Sequence, residues 1–443
     1  MMKRVFALLL ALAMLCALMV GCAKQETPAA EPSTNDPAAA ETTTDETPAA
    51  DAPAEQEVLE FYHAYWHDEA TWYPAVVMRE IYQEFADAHA DGPVRFEPIA
   101  IEDLTGLYSS ELASGRVPDM MDCAGSVKLE GAIAQNLLMD LKPYIDENGL
   151  EAQVGANYEQ NQVDGKIYTV SIGLASIGMW VNTDVLEATG ATMPEEWTTW
   201  EAFADAMETV RVNGEAMGYY SYGSGQGSIR MFNAALAATP AGAEMLKGPL
   251  TADAINSEEF ADAFRTVATL DQQNGSANSS VNANDFAAVF INGVWGASQF
   301  AGSDNFVSCI YPNSVAISSA NTGLYVANDL SDAQKELALE FIKYMTSEEV
   351  QSRYFLETSS NPINENVDIQ KLAQESGDPT ALKLAEACDK CNKADTIVLA
   401  IDVCWGNDVG GALQNKFAEC AVAGTDIEAK LAELQAELTA LIG

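Results

Sequence analysis

The chemically capable residues of this sequence are suited to holding a guest rather than to breaking bonds. Tyr65, Trp66, Trp72, Trp180, Tyr222, Trp295 and Trp405 fall at predicted strand-to-loop junctions. A ring there offers a wide flat apolar face with a polar edge at small entropic cost. Trp66, Trp295 and Trp405 stand beside His67, Gly296 and Gly406, as loop residues do, whereas Trp180 is flanked by strand residues and suits a core. Core packing is the competing reading for every one of these rings. Asp68, Asp122, Ser126, Ser224 and Asn321 are the expected polar partners. A few placed hydrogen-bonding groups orient a guest whose bulk is held by burial. With Tyr65, Trp66, Trp295 and Trp405 they make up the expected ligand-binding set.

Catalytic patterns are missing from the sequence. His63 and His67 are spaced to share a helix face, but no His-Glu-x-x-His arrangement surrounds them and they fall near a strand end. No nucleophile elbow or phosphate loop occurs. Cys388-Asp-Lys-Cys391 has the Cys-x-x-Cys spacing, yet Cys404 and Cys420 do not supply a second pair of matching spacing for zinc. A thioredoxin-like role would need a βαβ setting that is not found around it. No catalytic residue, metal or cofactor is expected, and the chain is read as a non-enzyme. Pairing among Cys123, Cys309, Cys388, Cys391, Cys404 and Cys420 stays open, since an exported protein is free to form disulfides.

The elements that must position the binding set begin with the stretch 163–210. Asp164-Gly165 is a tight-turn signal, and Lys166 to Val170 and Ile177 to Asn182 read as strands. Thr198-x-x-Glu201 has capping-box spacing, and Trp200, Phe203, Met207 and Val210 recur at helical intervals. Upstream, a strand from Glu57, a helix carrying Val77, Ile81 and Phe85, and a strand over Val94 to Ile101 form a β-α-β opening. Pro74 suits a first helical turn. Met217 to Arg230, rich in Gly, Ser and Tyr, reads as a loop. Thr346 and Glu349 suggest a second capping box, and Ile427, Leu431, Leu434, Leu438 and Leu441 mark a closing amphipathic helix.

These pieces, in this order, resemble the extracellular solute-binding proteins of ABC transporters, in particular the sugar-binding family. The resemblance is carried by Gly165-Lys-Ile-Tyr168, Met179-Trp-Val-Asn-Thr-Asp184 and Pro194-Glu-Glu-Trp-Thr-Thr-Trp-Glu201. Further matches are Gly115-Arg-Val-Pro-Asp119, Asp140-Leu-Lys-Pro-Tyr144, Gly293-Val-Trp295 and the helix-turn-helix Glu336 to Gln351. The resemblance covers nearly all of Glu57 to Gly443. It implies an α/β fold of two lobes joined by three crossover segments at a hinge. The lobes would be 57–178 with 317–352, and 179–316 with 353–443. It also implies a sugar or oligosaccharide taken up in the interlobe cleft and delivered to the permease subunits of an ABC importer. Ring C–H faces of a sugar pack on aromatic rings, and its hydroxyls bond to planar polar groups. A sensor or adhesin lipoprotein, or a binder of a cationic solute such as a polyamine, are the alternatives.

The chain's start fits export. Lys3-Arg4 precedes an apolar run from Val5 to Val20, short for a membrane span of about 20 residues. Leu18-Met-Val-Gly-Cys22 resembles a bacterial lipobox, which implies a signal peptide over 1–21 and lipid on Cys22; plain secretion with an incidental Cys is the other reading. Residues 22–56 are rich in Ala, Pro, Thr and acid and are expected to be a disordered tether on the outer face of the bacterial cell membrane. A formal net charge of -44 argues against nucleic acid and against adhesion to anionic lipid. With 48% hydrophobic residues the remaining 57–443 can bury real cores, and a monomer is expected.

Overall fold

The computed structural model describes residues 56–123, 127–224, 226–274 and 287–443. Cys22, the signal peptide and all but the last residue of the tether lie outside the described residues. Among the described residues twelve strands run in the order β1 (Glu57–His63), β2 (Val94–Ala100), β3 (Met120–Asp122), β4 (Gln162–Val163), β5 (Lys166–Ile167), β6 (Leu174–Asn182), β7 (Tyr220–Ser224), β8 (Ala287–Gly293), β9 (Phe306–Cys309), β10 (Val315–Ala320), β11 (Leu324–Val326) and β12 (Thr396–Val398).

The first lobe is built on a four-stranded sheet in the order β11-β3-β1-β2. β1 turns Leu59, Phe61 and His63 inward, and the Glu69–Ala88 helix that follows buries Val77, Met78, Ile81, Tyr82 and Phe85 against the sheet. Trp72 is extended within that helix (φ -158, ψ 91), so Pro74 stands in the first turn of its continuous part. Phe341, on the much later Asp332–Met345 helix, brings its ring within 4.9 Å of Phe61 and 4.5 Å of Phe96. This return of a late helix to the first sheet closes the lobe around an aromatic core.

The second lobe is a sheet in the order β12-β10-β6-β8-β7, with β9 also on β6. β6 runs antiparallel to β8, β9 and β10. Its residues are buried on both faces: Met179 and Val181 join one apolar cluster and Trp180 another. A strand covered by helices on both sides reads as a continuous apolar run, which is how Ile177 to Asn182 reads in sequence.

Three segments connect the lobes, at 171–173, 321–323 and 359–361. Val170 and Leu324 exchange two backbone bonds of 2.9 and 2.8 Å, and Leu174 donates to the Asn361 carbonyl at 2.9 Å. Gly323 allows this approach, because a Cβ there would stand 2.3 Å from the Val170 carbonyl oxygen. The buried carboxamide of Gln351 ties the seam together. Its Nε2 donates to the carbonyls of Ile172 (3.0 Å) and Met345 (2.9 Å), and its Oε1 accepts from the Ile363 amide at 2.8 Å. The expected boundaries at 178/179 and 316/317 are corrected, since they would cut β6 and β10, which pair within the second sheet. The third, at 352/353, falls in the Glu348–Thr358 helix, between Val350 in one core and Phe355 in the other.

Other local expectations shift. Thr199, not Thr198, caps the Trp200–Gly214 helix, and Ser347, not Thr346, caps the Glu348–Thr358 helix. In each case the neighbouring hydroxyl reaches the backbone N–H three residues on, as a cap must. Thr346 instead bonds back to Ile342 and ends the preceding helix. Only Lys166–Ile167 of the expected 166–170 strand pairs with β4, and Val170 makes an isolated bridge. The segment read as a loop from Met217 contains β7, held by parallel pairing to β8. Pairing with a distant strand overrides its Gly- and Ser-rich composition.

Replacing Gln351 by Ala strands two carbonyls and an amide in the seam. It is expected to cost about 3 kcal/mol in urea unfolding; a loss under about 0.5 kcal/mol would contradict this role. His63 gives a second test. It is buried, its Nδ1 accepts from the Tyr65 amide at 3.2 Å, and burial, aided by the Arg79 charge, pushes its imidazole down to about 4. Because the folded value lies below the unfolded one, protons favour the unfolded chain, and stability falls as pH drops from about 6.5 to about 4. The loss reaches about 3 kcal/mol. His63→Gln is expected to flatten that part of the urea-midpoint profile, and an unchanged profile would refute the assignment.

Candidate functional site

The carboxyl ends of strands from both sheets deliver side chains to the space between the lobes, the place where open α/β sheets hold ligands. β1 leads to Tyr65, β3 ends on Asp122, β8 leads to Trp295, β10 to Asn321, and β12 to Asp402 and Trp405. Two cavities of about 630 and 270 Å³ lie there. Both are lined by Ala175, Trp295, Asn321 and Thr322, so they form one cleft with two chambers. The larger has the volume of an ordinary small-molecule site.

Trp295 marks the junction. Its indole is 36% exposed and lies over Gly293, where a Cβ would come within 2.2 Å of the ring. The Gly-x-Trp spacing therefore has a direct cause: the glycine leaves room for the ring of the residue two positions on. Trp180 fixes this corner from beneath by donating its Nε1–H to the Gly293 carbonyl at 3.0 Å.

The larger chamber is lined by amides and paired charges. Gln160 accepts from the Ala320 amide at 2.7 Å, and Asn161 donates to the Asn321 carbonyl at 3.3 Å. Arg230, nine-tenths buried, makes a two-pronged ion pair with Asp402. Burial raises the Asp402 carboxyl, but the Arg230 hydrogen bonds and charge outweigh it and leave it below the usual carboxylate range. At the mouth, Lys128 of the first lobe bonds to Asp408 of the second at 3.0 Å. The smaller chamber is lined by Tyr65, Asp122, Tyr354 and Asn361. Tyr82 donates to Asp122 at 3.4 Å. Burial first, and then the Asp122 charge, pushes the hydroxyls of Tyr65 and Tyr82 well up, and Tyr354 is pushed up to about 12 mainly by burial. These phenols remain neutral donors at physiological pH.

Of the expected set, Tyr65, Asp122, Trp295, Asn321 and Trp405 line the cleft. Trp405 is mostly core: its Nε1 donates to the Met245 carbonyl at 3.2 Å and it is 8% exposed. Trp66 and Asp68 do not line either chamber. After Tyr65 the loop turns outward, Trp66 stacks on His67, and the Asp68 carboxylate caps the Glu69–Ala88 helix through the Thr71 amide. Tyr222 is core, donating to Asp271 at 2.6 Å. Ser126 lies outside the described residues, and Ser224 ends β7 with its side chain outside them. Cys309, Cys388, Cys391, Cys404 and Cys420 form no disulfide. The expectation missed Arg230, Asp402, Gln160, Asn161 and Tyr354. A lone Arg in Ser228-Ile-Arg-Met-Phe and a lone Asp in Ile401-Asp-Val were readable signals, since single charges inside apolar runs are buried only when paired.

Two α/β lobes, three crossings and a cleft at the strand ends define a two-lobed binding protein. Residues 80–380 match the bacterial extracellular solute-binding protein family, and the chain belongs to it. A Streptococcus pneumoniae solute-binding protein solved in complex with the blood group A-trisaccharide is 41% identical, with a TM-score of 0.79, covering 87% of this chain and 100% of its own. The ABC substrate-binding protein Lmo0181 from Listeria monocytogenes, in complex with cycloalternan, is 18% identical with a TM-score of 0.63 over 88% of this chain and 100% of its own. A cyclic alpha-maltosyl-1,6-maltose binding protein from Arthrobacter globiformis is 16% identical with a TM-score of 0.63 over 87% and 99%. The last two share the fold. No curated protein sequence matches. No helix among the described residues is long and apolar enough to cross a membrane.

Proposed function

We propose that this protein captures an oligosaccharide between its lobes and hands it, chemically unchanged, to the permease of an ABC importer. One observation carries the reading: the partly exposed Trp295 ring stands where two chambers of about 630 and 270 Å³ meet. A guest spanning both chambers passes across that ring, as a sugar face does on an indole. Charge disfavours an anionic guest, and the Asp122 and Glu130 carboxylates lining the chambers can accept from sugar hydroxyls. Arg230 is neutralised by Asp402 and Lys128 by Asp408, while Gln160, Asn161 and Asn321 offer amides that both donate and accept. The 41% identity with a chain solved around a trisaccharide supports the same class of ligand. The protein acts as a monomeric binding protein with no catalytic step. Cys22 carries lipid that holds it at the outer face of the cell membrane, since two or more acyl chains anchor stably.

Calorimetry with the blood group A-trisaccharide and a panel of other oligosaccharides is expected to give binding heat and a negative heat-capacity change. Trp295→Ala is expected to weaken it about 30-fold, or roughly 2 kcal/mol. Heat with spermidine and none with any sugar would overturn the ligand class. For the anchor, Cys22→Ser is expected to release the protein from membranes into the medium. Retention of that variant in the membrane fraction would contradict lipidation at this residue.

A further inference from the structure

From the ring contacts leading out of the smaller chamber we infer that Trp72 and Trp66 form an outer subsite for sugar units that extend beyond the cleft. The protein then selects chains longer than its two chambers hold. This rests on the sugar reading above and goes beyond it by naming a second surface and a chain-length preference.

The contacts are continuous. Tyr65 lines the smaller chamber, and Trp72 stacks on it with centroids 5.4 Å apart and planes 19° from parallel. His67 meets Trp72 edge-on at 5.5 Å, and Trp66 stacks on His67 at 4.0 Å. A row of rings thus runs from the cleft to the surface. Its outer members are open: Trp66 and Trp72 are each 43% exposed, and Tyr73 beside them is 51% exposed. Single exposed apolar residues need no explanation, but Trp66 and Trp72, linked through ring contacts to a binding cavity, form a patch that marks a site.

The loop that carries them is held firmly. Arg79 donates to the carbonyls of Tyr65 at 2.6 Å and His67 at 2.7 Å, and the Asp68 carboxylate receives the Thr71 amide at 2.8 Å. Rigid, exposed rings lose little entropy on binding and so make efficient platforms. Burying them in this lobe's core would have been the cheaper use of their area; the extended conformation of Trp72 keeps its ring beside Tyr65 instead. The chemistry around them favours a neutral polyhydroxyl chain. Asp68 and Glu69 flank the rings, and the cation beside them, Arg79, is turned onto the Tyr65 and His67 carbonyls, which leaves little to attract an anionic lipid surface.

The test is calorimetry with soluble glycans from trisaccharide to hexasaccharide, built outward from the blood group A-trisaccharide, on the wild-type protein and on Trp66→Ala, Trp72→Ala and Tyr220→Ala. Affinity of the wild type is expected to rise about 3- to 10-fold with lengthening. That rise is expected to vanish in Trp66→Ala and Trp72→Ala, to return in Trp66→Tyr, and to persist in Tyr220→Ala, which removes an exposed ring from the other sheet. Equal affinity at all lengths, or a rise that survives both Trp variants, overturns the outer subsite and leaves the sugar reading standing. Failure of every glycan to bind overturns both. Wild-type sedimentation with phosphatidylglycerol vesicles, lost in Trp66→Ala, would assign the rings to lipid and overturn the inference.

Discussion

The structure depends on one buried carboxamide. Gln351 joins the first crossing at Ile172, the end of the Asp332–Met345 helix at Met345, and Ile363 just past the third crossing. Around it Asn157 holds both the amide and the carbonyl of Ser171, and Asn361 reaches Ser176, which in turn meets Ser318. A buried polar network of this kind is costly unless satisfied, and when satisfied it fixes a unique arrangement of strands. The apolar clusters lie on either side of the seam, with the Glu348–Thr358 helix contributing Val350 to one and Phe355 to the other. A rotation of the lobes about the crossings would leave the rest of each core intact and fall on that shared helix, between Val350 and Phe355, which is the physical basis for closing on a ligand.

The cleft follows from the same constraint. Because the crossings tie β11 and Val170 of the first lobe to β10 and β6 of the second, the carboxyl ends of β1, β3, β8, β10 and β12 meet in one space, and the residues just past them become its walls. Charges entering that space are neutralised before a guest arrives: Arg230 by Asp402, Lys128 by Asp408. What remains on offer is ring faces, amides, neutral phenols and the carboxylates of Asp122 and Glu130, all of which bond to hydroxyls. Such a surface disfavours anions and selects among neutral guests by shape and hydroxyl pattern.

Much of this was legible in the chain. The β-α-β opening, the apolar run of β6 and the Gly-x-Trp of β8 are local patterns, and the elements they predict are present. Trp295, singled out by the glycine beside it, and Asn321 both line the cleft. Trp66 and Asp68 were misplaced because sequence cannot show which way a loop turns after a strand, and here Arg79, some dozen positions on, decides it. β7 was missed because its strand character comes from β8, far along the chain. Arg230 and Asp402 were missed because their meaning lies in a pairing across 172 positions. Lobe boundaries drifted by a few residues for a related reason: β6 and β10 begin or end at the crossings, and only their hydrogen-bond partners reveal to which sheet they belong.

The claim at the centre is that two bodies joined at a narrow polar seam shut around an intact guest. Small-angle X-ray scattering of the purified protein, alone and saturated with an oligosaccharide that gives binding heat, tests it most directly. A smaller radius of gyration with the sugar bound is the predicted result. An unchanged radius under saturation would contradict it.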